Sequence, residues 1–177
     1  MPAILEWTHT VVEHDLDGLG HANNISYLKW MQSAALAHSA AQGWPVEAYA
    51  VLGCGWVVRS HFIEYLSPAL LGDTILIRTW VADMGKVTSR RRFLIVRADE
   101  SARRGASERR SHAERGNEVE AGETVLAKAE TNWAFVDYRT GSPKRIPPEV
   151  SRAFEIVVED APTSPHNGGW QNAARPD

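Results

Sequence analysis

The sequence predicts an α+β domain in which one long helix packs against an antiparallel sheet. Five stretches read as strands, a single long helix lies between the first and the second, and no alternating strand–helix units follow. The last observation argues against a parallel, Rossmann-like sheet. With 177 residues, of which 44% are hydrophobic, the chain has the length of one domain and enough apolar side chains for a sizeable core.

The strands are recognised by alternating apolar and polar residues and by many branched and aromatic side chains. A turn-like sequence ends the first strand. Pro68 and Gly72 separate the second from the third, and a short turn around Gly85 separates the third from the fourth. The predicted strands are residues 5–14, 56–66, 74–82, 87–98 and 124–136.

The helix is predicted over residues 24–42. Asn23 or Asn24 can cap its start, and Gly43 followed by Pro45 ends it. Six alanines between positions 34 and 48 would allow a sheet to approach the helix closely. The side chains expected to face the sheet are Ile25, Leu28, Met31, Ala35 and Leu36, and those expected to face away are Lys29, Gln32 and Ser33.

Two segments are expected to lie outside this core. Residues 101–121 are dominated by arginine and glutamate, with Val119 as the only large aliphatic side chain, and residues 158–177 are rich in Pro and Gly. Neither can bury enough surface to offset its ordering entropy. The chain is therefore predicted to be a single domain over residues 1–157, with a charged, mobile insertion at 101–121 and a flexible tail at 158–177.

Composition limits the cellular compartments and the classes of binding partner that fit this protein. A net charge of -3 lacks the basic excess that nucleic-acid binding requires. No signal peptide and no membrane span can be recognised, and a lone Cys54 cannot form an internal disulfide. We expect a cytoplasmic protein without a nucleic-acid partner and without a membrane span.

The segment with the clearest chemistry is 15–30, DLDGLGHANNISYLKW. Asp15 and Asp17 end the first strand, a Gly-rich turn follows, and the helix begins. A helix start presents unpaired backbone N–H groups that can polarise a carbonyl and stabilise an oxyanion. A nearby carboxylate could attack that carbonyl or activate water. On the residues alone, the possibility that both aspartates simply form the turn stays open.

The spacing Asp-x-Asp-x-x-x-His-x-Asn-Asn-x-x-Tyr-x-x-Trp, from Asp15 to Trp30, resembles the hotdog-fold thioesterases. It is similar to both the 4-hydroxybenzoyl-CoA thioesterase branch and the plant acyl-ACP thioesterases. Residues 63–69, 72–73, 127–137 and 140–147 extend the resemblance in the same order, so that it covers roughly residues 5–150.

The resemblance implies an antiparallel sheet wrapped around one long central helix, in a homodimer or homotetramer with sites at the subunit interface. It implies hydrolysis of an acyl-CoA or acyl-ACP thioester without a cofactor or a metal. Asp17 matches the nucleophile or general base, and Asn24 matches the residue whose backbone N–H polarises the carbonyl. His21 and Asn23 are assigned to the substrate pocket, and Asp15 to bracing the turn.

The sequence also departs from these families. Leu19 stands where the plant enzymes have an Asn, and Gln32 and Ser33 stand where relatives carry a helical Glu. A mechanism that needs a second carboxylate on the helix is therefore in doubt.

Two other functions remain open. A hotdog dehydratase or hydratase acting on a 3-hydroxyacyl thioester pairs an Asp with a His five residues later, whereas Asp17 and His21 are four apart. A non-catalytic module that binds an acyl thioester is the second. A panel of thioesters followed by thiol release would separate them.

Several further residues have both a structural and a functional interpretation. A metal site built from His14, Asp15, Asp17 and His21 is disfavoured, because a flexible turn does not define converging ligands. Cys54 is expected to be a buried, inert thiol, and His61 is expected to pack or to form a local hydrogen bond. The residues weighed for contact with CoA phosphates are Arg59, Lys86, Arg90, Arg91 and Arg92; for the arginine run, cationic residues on the wet face of a strand are the favoured interpretation.

Overall fold

The computed structural model describes residues 2–98, 119 and 122–158. The predicted insertion at 101–121 and the predicted tail at 158–177 lie outside the described residues, apart from Val119 and Val158. The division of the chain into a core, an insertion and a tail therefore stays a prediction.

Five strands form one antiparallel sheet in the order β1-β3-β4-β5-β2. The strands were predicted from their alternating apolar and polar residues and their branched side chains, and each observed strand overlaps the predicted one. The strands are β1 (Ile4–Thr10), β2 (Cys54–Tyr65), β3 (Thr74–Met84), β4 (Thr88–Ala98) and β5 (Glu123–Asp137).

The long helix α1 spans Asn24–Ala41, as the capping signals predicted. The Asn23 side chain caps its start, and Gly43 follows its end with φ +84°, a left-handed conformation that glycine adopts at little cost. Two shorter helices were not predicted, because seven and four residues are too few for a clear 3.6-residue period. They are α2 (Val46–Leu52) and α3 (Pro148–Ser151).

The first strand is shorter than predicted. The expectation extended it to His14, whereas β1 ends at Thr10 and residues Glu13–Asp15 form a 3₁₀ turn. The pairing with β3 extends one residue further, where Val11 N–H donates to the Asp73 carbonyl oxygen at 2.9 Å, and the 3₁₀ turn follows. Periodicity could not show where the strand ends, because apolar and polar residues alternate loosely through to His14.

One face of the sheet packs against α1 and forms the main hydrophobic core. Tyr27, Trp30 and Met31 of the helix are buried, and Ala34 and Ala35 let the backbones approach closely. The sheet contributes its inward-facing row to the same cluster, namely Ile75, Ile77, Phe93, Ile95, Ala127 and Ala129.

The predicted buried face of α1 was partly wrong. Ile25 and Leu36 were expected to face the sheet, but they are 59% and 45% exposed. His38 and Ser39, which are polar, are buried in their place. The physical reason is that the aromatic rings and small alanines determine which face fits the sheet, whereas Ile25 and Leu36 lie on the stripe shared with Lys29 and Gln32.

β2 forms one end of the sheet and leaves one edge unpaired within the described chain. Several apolar side chains of this strand are exposed, with Phe62 at 71%. None of the helices in the described residues is long and apolar enough to cross a membrane.

Candidate active site

The turn between β1 and α1 lies beside the loop that precedes β3. Ala22 N–H donates to the Ala69 carbonyl oxygen at 2.9 Å, and His21 forms an isolated antiparallel bridge with Leu70. Gly20 adopts φ +79°, which lets the chain reverse there. The segment therefore has a defined shape held by backbone bonds.

Asp15 braces this turn from inside. Its side chain is buried, its Oδ2 accepts hydrogen bonds from His9 Nε2 at 2.8 Å and Val12 N–H at 3.1 Å, and its carbonyl oxygen accepts from Asn23 N–H at 2.8 Å and Ser26 Oγ at 3.0 Å. Burial alone would raise the pKa of Asp15, but the hydrogen bonds from His9 and Val12 outweigh it and lower that pKa below its ordinary value. An ionised, buried carboxylate that accepts two hydrogen bonds is a structural anchor.

Asp17, two residues later, is exposed. Its Oδ1 accepts from Leu19 N–H at 2.8 Å and from His21 N–H at 3.3 Å, which fixes the orientation of the carboxylate. Within the described part of the chain, no hydrogen bond reaches its Oδ2. One oxygen is thus held while the second can meet a substrate or a water molecule.

The start of α1 supplies a backbone donor. The Asn23 side-chain oxygen accepts from Ile25 N–H at 2.9 Å, so this residue is the cap. Among the described residues, Asn24 N–H has no acceptor. An unpaired N–H at the positive end of a helix of 18 residues can polarise a carbonyl oxygen.

The remaining members of the predicted site have less definite roles. The side chain of His21 is exposed and contributes through its backbone, whose carbonyl oxygen accepts from Asp17 N–H at 2.8 Å. Gln32 and Ser33 are exposed, and α1 contains no Asp or Glu. A second carboxylate is therefore not supplied by this helix.

Local contacts agree with a structural interpretation of Cys54 and of His61. Within the described ranges, no three His, Cys, Asp or Glu side chains could hold a metal ion. Cys54 is 1% exposed, as expected of a structural thiol. His61 Nδ1 lies 2.8 Å from Thr131 Oγ1, in the local hydrogen bond that was expected.

The structure corrects the interpretation of the arginine run, residues 90–92, at one position. Arg90 and Arg92 lie near Glu130 on the outer face of the sheet, as a wet strand face predicts. Arg91 is buried on the inner face, where its Nη1 donates to His38 Nδ1 at 2.8 Å. Sequence reasoning missed Arg91 and His38 as a pair. Strand alternation was the only available signal, since it places the middle residue of three on the opposite face.

Comparison with known proteins gives the family and the fold. A family model described as the thioesterase-like superfamily matches residues 11–154. A search of curated proteins gave no match.

Three solved structures illustrate the likeness. A 1,4-dihydroxy-2-naphthoyl-CoA thioesterase from Synechocystis is 16% identical, with a TM-score of 0.65 over 85% of this chain and 94% of that one. A Staphylococcus aureus protein solved in complex with CoA is 14% identical, with a TM-score of 0.67 over 85% and 80%. A DHNA-CoA thioesterase from Staphylococcus aureus is 15% identical, with a TM-score of 0.67 over 85% and 87%. The likeness confirms the predicted hotdog fold.

Proposed function

Because this chain belongs to the thioesterase-like superfamily, we propose that it is a thioester hydrolase that cleaves an acyl-CoA, or an acyl group on acyl carrier protein, to a free acid and a thiol. Asp17 acts as the nucleophile or general base. The Asn24 N–H at the start of α1 polarises the thioester carbonyl. Water is the only co-substrate, and the reaction needs no cofactor.

The observation that carries this proposal is the difference in environment between the two aspartates, Asp15 and Asp17. The Asp15 side chain is buried and accepts hydrogen bonds from His9 and Val12, whereas the Asp17 side chain is exposed, so that its Oδ2 can meet substrate or water. At the end of the same short turn, Asn24 N–H has no acceptor among the described residues. A carboxylate and an oxyanion donor on one braced segment are the minimum that thioester hydrolysis requires.

In the reaction, the carbonyl oxygen of the thioester accepts from Asn24 N–H, and the carbonyl carbon becomes more electrophilic. Asp17 then attacks that carbon or removes a proton from an attacking water. The resulting oxyanion is stabilised by the same N–H and by the helix dipole. Collapse of the tetrahedral intermediate breaks the C–S bond and expels the thiolate, which takes up a proton. With water as the nucleophile, this collapse gives the free acid directly; with Asp17 as the nucleophile, it leaves a mixed anhydride that water hydrolyses to the free acid and the Asp17 carboxylate. His21 and Asn23 shape the pocket around the acyl group.

We also propose that the enzyme is a homodimer or a pair of dimers, joined along the free edge of β2. An unpaired strand edge with exposed apolar side chains is unfavourable in water, and pairing with a second copy covers it. Val57, Val58 and Tyr65 are 41–43% exposed, and Phe62 is more so. Light scattering at micromolar concentration should give at least twice the monomer mass of 19.6 kDa; a monomer would contradict the proposal.

The experiment that tests the function is a substrate panel followed by release of free thiol. It should include aromatic, short-chain and long-chain acyl-CoA thioesters and the same acyl groups on acyl carrier protein. Hydrolysis of at least one thioester that depends on Asp17 supports the proposal. Binding without thiol release would indicate a non-catalytic module, and hydration of an enoyl thioester would indicate a hydratase.

A further inference from the structure

A cavity of about 370 Å³ lies between the second half of α1, α2 and the sheet. Its volume falls within the ~300–1,000 Å³ that is typical of small-molecule pockets. Most of its lining is apolar, with Trp56, Val81, Met84 and Phe154 among the contributing side chains. It is open to solvent on one side, so a small molecule can enter.

An irregularity in the sheet shapes this cavity. The register between β3 and β4 shifts after Val81, which leaves Ala82 without a partner in the ladder. Because of this bulge, Val81 and Met84 both line the cavity, although regular alternation would place residues three apart on opposite faces. A bulge that turns an extra side chain toward a cavity is a feature often found near binding sites.

A guanidinium lies in the wall of the cavity. Arg91 lines it and is 7% exposed. Its hydrogen-bond acceptors are both neutral, His38 Nδ1 at 2.8 Å and Thr79 Oγ1 at 3.3 Å. Burial lowers the pKa of Arg91 to about 10, so the group is still charged at neutral pH.

The neighbouring arginines of β3 and β4 differ from Arg91 in their ionic partners. Arg78, Arg90, Arg92 and Arg97 each lie within 4.0 Å of a carboxylate oxygen. Arg91 is more buried than three of these four, yet in the described part of the chain it has no carboxylate partner. A buried charge without a counter-ion is unfavourable for the fold, and an anionic ligand would offset that cost.

A second donor in the same wall lacks an acceptor. Trp133 also lines the cavity, and its buried indole Nε1–H has no hydrogen-bond acceptor among the residues that the structure describes. The Ser39 hydroxyl, a further polar group of the lining, is by contrast already engaged, because it donates to the Trp44 carbonyl oxygen at 2.8 Å. Two donor groups that a ligand could satisfy, Arg91 and Trp133, therefore border one mostly apolar space.

We propose that this cavity binds an organic carboxylate, with the carboxylate on Arg91 and an aromatic or aliphatic body against the apolar wall. The guanidinium provides the paired N–H groups that match two carboxylate oxygens. The apolar lining selects organic acids over inorganic anions. The site is distinct from the Asp17 turn and does not depend on thioester hydrolysis. Its ligand is either a free acid or a carboxylate at the far end of an acyl group.

Isothermal titration of the full chain with hexanoate and benzoate tests the proposal. Both acids should bind, and hexanamide and benzamide, which have the same shape without the charge, should bind at least tenfold more weakly. Arg91→Met should weaken binding of the acids by about 10–100-fold, the loss expected for a hydrogen bond to a charged group. Arg92→Met is the matched control on the opposite face of β4 and should leave the affinity unchanged. Equal binding of acids and amides, or unchanged binding by Arg91→Met, would overturn the proposal.

A crystal soaked with 4-bromobenzoate gives a test that does not depend on the stability of any variant. The bromine should lie among the apolar side chains and the carboxylate against Arg91. Bromine elsewhere on the molecule, or none, would overturn the proposal.

A pair of thioesters with equal carbon number separates the two sources of the carboxylate. If the acyl group supplies it, adipoyl-CoA should bind more tightly than hexanoyl-CoA, and Arg91→Met should remove the difference. If a free acid is the ligand, both thioesters should bind alike in both proteins while hexanoate binding still requires Arg91. Because binding is measured, a chain that hydrolyses neither thioester would still answer the question.

Discussion

The turn at residues 15–24 and the cavity around Arg91 lie near opposite ends of β3. The turn contacts the loop that leads into Thr74, and the cavity is lined by Val81 and Met84. At about 3.3 Å per residue, they are on the order of 20 Å apart along the strand. In the turn, the buried charge of Asp15 accepts hydrogen bonds from two neighbours within six residues, His9 and Val12. In the cavity, the buried charge of Arg91 has, among the described residues, only neutral hydrogen-bond partners, from separate elements.

The difference shows two ways in which a fold holds a charge. A buried charge that accepts hydrogen bonds from nearby residues, such as that of Asp15, stabilises the local backbone. A neighbouring carboxylate, Asp17, is then available for chemistry. A charge without a counter-ion is a stability cost that the rest of the fold tolerates, and it has a use when a ligand provides the missing partner.

The largest expected effect concerns Asp17 in the turn. Asp17→Asn keeps the Oδ1 that accepts from Leu19 and His21, so the turn should persist, while the charge that attacks or activates water is lost. Turnover should fall by about 10²–10⁴-fold with little change in substrate affinity. Thiol release under saturating substrate measures it.

Asp15→Asn is the matched control for that experiment. Removing a buried, hydrogen-bonded charge should lower the free energy of unfolding by about 1–3 kcal/mol and affect the chemical step less than Asp17→Asn does. Full turnover by Asp17→Asn together with an inactive but folded Asp15→Asn would reverse the assigned roles.

The second-largest expected effect concerns His38, the hydrogen-bond partner of Arg91. Burial, and then the charge of Arg91, lower the pKa of His38 to about 4 from an ordinary value of 6.5. Between these values the unfolded chain binds a proton that the folded chain does not. The contribution of neutral, buried His38 to the free energy of unfolding is therefore complete above pH 6.5. As the pH falls toward 4, this free energy decreases by up to about 3 kcal/mol.

Urea unfolding at several pH values measures this slope. His38→Asn, which keeps an acceptor for Arg91 but cannot titrate, should flatten the slope between pH 6.5 and 4. His14→Asn, at an exposed position, should keep it. A wild-type slope in His38→Asn would show that different groups cause the acid sensitivity.

A smaller effect, of the opposite sign, is expected for Arg91. Replacing a buried charge that lacks a counter-ion with an apolar side chain of similar length should raise the free energy of unfolding by about 1 kcal/mol or more. Thermal unfolding of Arg91→Met should accordingly show a higher Tm in the absence of ligand. A large loss of stability would mean that the guanidinium is structural, and the contrast with Asp15 would disappear.

The smallest effect concerns the cap of α1. Asn23→Ala removes the acceptor for Ile25 N–H and should cost about 1 kcal/mol of stability. Asn23→Asp retains the acceptor and adds a charge that the helix dipole favours, so it should be neutral or stabilising. Chemical denaturation of both variants measures the effect; equal stability of the Ala and Asp variants would show that the cap contributes nothing.

The sequence by itself determined the features that depend on near neighbours. The five strands and α1 could be predicted because alternation and helical spacing are local. The turn could be predicted because its glycines, its capping Asn23 and its two aspartates lie within ten residues. The Asp15 side chain, whose partners are His9 and Val12, belongs to the same local class.

Only the tertiary structure decided the features that depend on distant segments. The end of β1 is set by how far its pairing with β3 continues, and the buried face of α1 is set by which side chains fit the sheet. The pairing of Arg91 with His38 joins residues 53 positions apart. Local patterns record what a side chain prefers, whereas burial of a charge depends on what long-range packing places around it.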